Sequence, residues 1–96
     1  MDVKAWTNGR GTYGVRVGRQ DAKMYFAPGL EGVEVEVDGE VCHVRLRETF
    51  WTTCPELRGG IVGQGVRRIG AVPWIRGAPP ALTLTPLGGG RFRLSA

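Results

Sequence analysis

Cys54 is the side chain best placed for covalent chemistry. It directly precedes Pro55 and Glu56, and Pro at a first helical position with an acid in the first turn predicts a helix start there, with Thr53 or Cys54 as N-cap. A helix N-terminus raises the thiolate fraction of a cysteine. His43, the single histidine of the chain, is the available base. The hairpin argued below already gives His43 a partner in Glu34. A thiol enzyme using Cys54 is therefore the minor expectation, and a non-enzymatic protein with no catalytic residues is the main one.

Cys42, His43 and Cys54 are also the soft-metal ligands of the chain. Neighbours on a strand point to opposite faces, so Cys42 and His43 do not chelate one ion, and no fourth ligand stands nearby. No metal and no cofactor is expected. Gly9-Arg10-Gly11-Thr12-Tyr13-Gly14 matches G-x-G-x-x-G, a dinucleotide fingerprint that needs a strand before it and a helix after it. Too few residues precede it, and a strand pattern follows, so it reads as a glycine-rich loop. Gly59-Gly60-Ile61-Val62-Gly63-Gln64-Gly65 lacks the Lys-Ser/Thr ending of a phosphate loop. It reads as a helix whose glycines let a neighbouring backbone come close. Glu34 and Glu36 alternate outward beside arginines and form an exposed ladder rather than an acid–base pair.

Arginines remain. The net charge is +4, unevenly distributed. Residues 1–40 carry five basic groups against seven acidic ones, a net of −2, and residues 41–96 carry eight arginines against Glu48 and Glu56, a net of +6. Such asymmetry fits a polyanionic partner. Arg45, Arg47, Arg91 and Arg93 alternate outward on two hairpins and are the expected nucleic-acid-binding residues. Trp6, Phe50, Trp51 and Trp74 flank element ends; exposed rings there would stack on unpaired bases, and core packing is their ordinary use.

These side chains need positioning by strands. Sixteen glycines and six prolines fit many short strands joined by tight turns, since each Gly inside a helix costs about 1 kcal/mol relative to Ala. Tyr13, Val15 and Val17 alternate over Thr12–Gly18 as a half-buried strand, and Gln20–Phe26 reads as a single helical turn. Val33, Val35 and Val37 alternate with acids, Asp38-Gly39 follows, and Cys42, Val44 and Leu46 alternate with His43, Arg45 and Arg47. An Asp-Gly pair between alternating runs predicts a type I′ hairpin. Its register sets Val35 opposite Cys42 and Glu34 opposite His43. Leu82 and Leu84, then Phe92 and Leu94, make a second hairpin. Leu57, Ile61, Val62, Val66 and Ile69 share one half of a helical wheel, and Pro73–Pro80 is an extended connection anchored by Trp74.

The expectation is an α+β domain over residues 1–96, with about five mostly antiparallel strands (a roll or half-open barrel) and one helix near residues 54–69. No apolar run reaches the ~20 residues of a membrane span. Met1–Trp6 has no apolar leader, so a cytoplasmic chain with reduced thiols is expected.

Phe50-Trp51-x-x-Cys54-Pro55-Glu56-Leu57-Arg58, Pro73-Trp74-x-x-Gly77-x-Pro79-Pro80 and Arg91-Phe92-x-Leu94 together resemble a group of small uncharacterised bacterial proteins, over roughly the second half of the chain. The resemblance implies a bacterial protein and no particular function. Small DNA-binding pseudobarrels share the mixture of strands around a helix, as a likeness of fold only. The functional expectation is a small non-enzymatic binding module for nucleic acid or another acidic partner. The alternative is a homodimeric module for a small molecule or a partner protein.

Overall fold

The computed structural model describes residues 1–52, 55–58, 60–68, 74 and 77–96. Alternation of apolar and polar residues builds most of it. The strands are β1 (Asp2–Thr7), β2 (Tyr13–Arg16), β3 (Gly32–Val37), β4 (Glu40–Arg45), β5 (Glu56–Arg58), β6 (Ala81–Gly88) and β7 (Arg91–Ser95), with helices α1 (Arg19–Tyr25), α2 (Glu48–Thr52) and α3 (Gly60–Arg68). The strands form one sheet in the order β4-β3-β7-β6-β1-β2-β5, curled into a nearly closed barrel. Among the described residues every pairing is antiparallel except β3 with β7.

Among the described residues, seven strands and three helices replace the five strands and single helix expected. β1 escapes a periodicity reading because its inward residues, Val3 and Ala5, include a small and weak strand former, yet both are buried. The helix near 54–69 is shorter than expected. Pro55 is a buried residue outside any helix, and Glu56–Arg58 form a strand paired with β2. Leu57 is inward in either geometry, and three residues are too few to separate a period of 2 from one of 3.6. The expected cap at Thr53 or Cys54 lies outside the described residues. The single turn at 20–26 is the helix α1.

The 33–46 hairpin stands in the expected register, with Val35 opposite Cys42 and Glu34 opposite His43. Asp38 has φ 51° and Gly39 φ 82°, the left-handed pair that a type I′ turn needs. In the second hairpin Leu84 faces Leu94, with a bulge between Pro86 and Gly88. β7 then runs parallel to β3, which sets Arg91 beside Glu34 and Arg93 beside Glu36.

The core is one cluster of inward side chains. Phe26 stacks on Phe92 with ring centroids 4.6 Å apart and meets Phe50 at 4.9 Å. Phe50, from α2, thus joins the core. At the other mouth α3 packs against β2 and β5 on one side and β3 and β4 on the other. Val62 and Val66 are fully buried beneath it. Gly65 permits this approach, since a Cβ there would run into the Val37 side chain. A Cβ on Gly63 would sit 3.0 Å from the Tyr13 carbonyl.

Candidate nucleic-acid interface

β4 and β5 are the two ends of the sheet, and they face each other across the gap that leaves the barrel open. Hydrogen bonding in an antiparallel pair alternates along each strand. Leu46 N–H donates to the Glu31 carbonyl at 2.8 Å, so Val44 and Cys42 also bond toward β3, and the N–H and C=O groups of His43 and Arg45 point away from it. Val17 N–H donates to the Pro55 carbonyl at 2.8 Å, so by the same alternation Glu56 and Arg58 direct theirs away from β2. The open seam is therefore flanked by strand edges that no other strand pairs among the described residues.

Arginines surround that seam. A groove of about 400 Å³ runs along it, lined by Arg45, Arg47 and Arg58, with Thr12, Thr49 and Glu56. Glu56 is neutralised by Arg16, at 2.7 Å, and its side chain is only 9% exposed. Arg45 and Arg47 form no ion pair among the described residues, and Arg58 lies over the Trp6 ring at 5.3 Å, a contact that leaves its charge uncompensated. Like charges hold such positions only because water screens them.

Arg91 and Arg93 are placed differently. Arg91 Nε lies 2.9 Å from Glu34 Oε2, and Arg93 Nε lies 3.0 Å from Glu36 Oε2. His43 Nε2 stands 3.7 Å from the other oxygen of Glu34. The parallel β3–β7 pairing makes this ladder by matching outward acids to outward arginines. The four expected residues are thus only partly gathered. Arg45 and Arg47 share the seam groove, while Arg45 and Arg91 share a second, open hollow of about 750 Å³ on the outer face. Arg93 lines neither.

Arg58 is the seam residue that sequence reading passed over. Its outward alternation with Leu57 was the available signal, hidden by assigning 54–69 to a helix.

The segment 9–14 does have a strand before it, β1, contrary to expectation, but β2 follows where a dinucleotide site needs a helix. Its loop is closed by Asn8 Oδ1, which accepts from the N–H of Arg10 at 2.7 Å and of Thr12 at 3.2 Å. Cys42 is half-buried against the core and His43 points outward, as opposite faces require. Cys54 lies outside the described residues. Among the described residues no cluster of three or more His, Cys, Asp or Glu is arranged to hold a metal, and no helix is long and apolar enough to cross a membrane. Of the aromatics, Phe50 is buried, Trp51 is partly exposed, and Trp74 meets Tyr13 edge-on at 5.9 Å.

Fold and site together describe a small β-rich α+β barrel with an arginine-lined seam. No protein-family model, curated protein or solved structure matches the chain.

Proposed function

We infer that the domain is a non-enzymatic binding module for nucleic acid, and that the seam groove is where the phosphate backbone lies. One observation carries this reading: Arg45, Arg47 and Arg58 converge on one groove, and among the described residues no carboxylate pairs with any of them. A phosphate there takes charge-assisted hydrogen bonds from guanidinium forks. The outward N–H groups of the two strand edges add donors that need no side-chain ordering. Arg91 and Arg93 pass from the binding surface to the scaffold, because each already has its acid. Within the second half of the chain, this narrows the expected basic face to the groove beside β5.

Fluorescence anisotropy with a labelled oligonucleotide across a salt series tests the reading. Binding weakens as salt rises, and the log–log slope becomes shallower by about 0.7 for each phosphate-contacting arginine removed on a single strand. Arg45→Ala and Arg47→Ala each produce that change; Arg93→Ala does not. Absence of binding at low salt, or equal effects of Arg47→Ala and Arg93→Ala, defeats the reading.

A second reading, the homodimer, draws on Val41 and Leu87, which are 47% and 44% exposed and line one small cleft. Sedimentation at high protein concentration separates the two: a monomer there removes self-association and leaves the groove untouched.

A further inference from the structure

Phe50 lines two concavities, the seam groove and a smaller cleft between α1 and α2. Thr49 lines the groove, and Trp51 and Thr52 line the cleft, so α2 separates the two. Arg19 and Lys23 line the cleft from α1. They are four residues apart and share one face of that helix. Asp21, two residues from each, stands on another side and does not line the cleft. Lys23 is exposed and has no ion pair among the described residues, and among them no carboxylate lines the cleft. Trp51 is 37% exposed. Its ring meets that of Phe50 in a T-shaped contact at 5.0 Å, which covers at most one face of the indole. The cleft measures about 220 Å³, below the range of about 300–1,000 Å³ typical of small-molecule sites. It has room for one ring system rather than a whole ligand.

Resting on the seam reading, we propose that a single-stranded nucleic acid with its backbone in the seam groove crosses α2 and stacks one base on Trp51 in this cleft, with Lys23 on an adjoining phosphate. Charge complementarity favours this occupant. The arginine-lined groove adjoins a cleft that sets basic side chains beside an exposed ring. That combination holds single strands without regard to sequence, because every base has a π-face. An inorganic anion would leave the indole unused, and an apolar ligand would leave Arg19 and Lys23 unused. In a duplex each base is already stacked, so a duplex reaches the seam arginines and not Trp51. Phosphate contacts are common to both forms and cannot tell them apart. Trp51 is therefore the residue that separates single strands from duplex.

The test compares short single-stranded oligo(dT) with a duplex of the same length by anisotropy across a salt series. The native chain binds oligo(dT) more tightly than the duplex. Trp51→Ala weakens oligo(dT) binding about fivefold or more. Its salt slope and its duplex affinity hold, because stacking releases no counterion. Trp51→Phe keeps a ring and loses less than Trp51→Ala. Lys23→Ala, an exposed change, makes the oligo(dT) slope shallower by about 0.7. Should Trp51→Ala fail to fold, emission decides: oligo(dT) quenches tryptophan fluorescence more in the native chain than in Trp51→Phe. A preference for duplex, an equal loss for strand and duplex in Trp51→Ala, an unchanged slope in Lys23→Ala, or equal quenching in Trp51→Phe overturns the inference. If binding in those cases remains salt-sensitive and depends on Arg47, the seam reading stands without the cleft. If nothing binds, both fall together.

Discussion

Arg45 and Arg91 line the same hollow, yet Arg45 has no ion pair among the described residues and Arg91 is tied to Glu34 at 2.9 Å. The difference decides what substitution does. Arg93 and Glu36 are half-exposed and about a third exposed, respectively, so their pair is screened and worth at most about 1 kcal/mol. Arg93→Ala is expected to lower urea-unfolding stability by no more than that and to leave the oligonucleotide salt slope unchanged. Arg47→Ala is expected to do the reverse, shifting the slope with no measurable loss of stability. If Arg93→Ala changed the slope as Arg47→Ala does, the division into scaffold and binding arginines would be wrong.

At the scale of elements, two devices hold the barrel's shape. Asp38-Gly39 places two consecutive residues at positive φ, 51° and 82°. A side chain at the second position costs roughly 1–2 kcal/mol because Cβ meets the following carbonyl. Gly39→Ala should lose about that much in denaturant melts with no change of m-value; an unchanged midpoint would mean the turn relaxes freely. The second device is α3. Its glycines cost helix propensity, and at nine residues it is too short to stand alone in water. Packing holds it. Gly65→Ala gains about 1 kcal/mol of propensity, but its new Cβ collides with Val37, and overpacking costs about 1–3 kcal/mol. The net expectation is destabilisation, relieved in part when Val37→Ala is added, although Val37→Ala alone destabilises. Additive losses in that double-mutant cycle would show that the two residues do not touch.

For the whole molecule, the open seam is the feature to measure. Strand edges without partners leave backbone amides in reach of water, whereas paired amides in the core strands exchange only on larger openings. Among the β4 and β5 residues, the Arg45, Glu56 and Arg58 amides should therefore exchange quickly, and those of Val44 and Leu57 slowly. Saturating single-stranded oligonucleotide should protect the Arg45 and Arg58 amides selectively. Slow exchange at all five positions without ligand would mean that the two edges close on each other, and the groove would lose its backbone donors.

Local chemistry in the sequence determined the two hairpins, the β2 strand, the inward valines and the outward arginines. Each depends on residues a few positions apart: Asp38-Gly39 dictates its turn, and the turn dictates the register of β3 on β4. What only the tertiary structure decided is which strands become neighbours across long separations. β1 pairs with both β2 and β6, β5 closes onto β2, and β7 joins β3 in parallel. A period of two states which face a residue occupies and says nothing of what lies beside it. Arg93 finds Glu36 across 57 residues of chain, so its charge is cancelled by a pairing that no local pattern encodes. Arg45 and Arg58 gather for the opposite reason. They stand on the two edge strands, each with a neighbour on one side alone among the described residues, and that position, rather than their residue type, leaves them uncompensated at the seam.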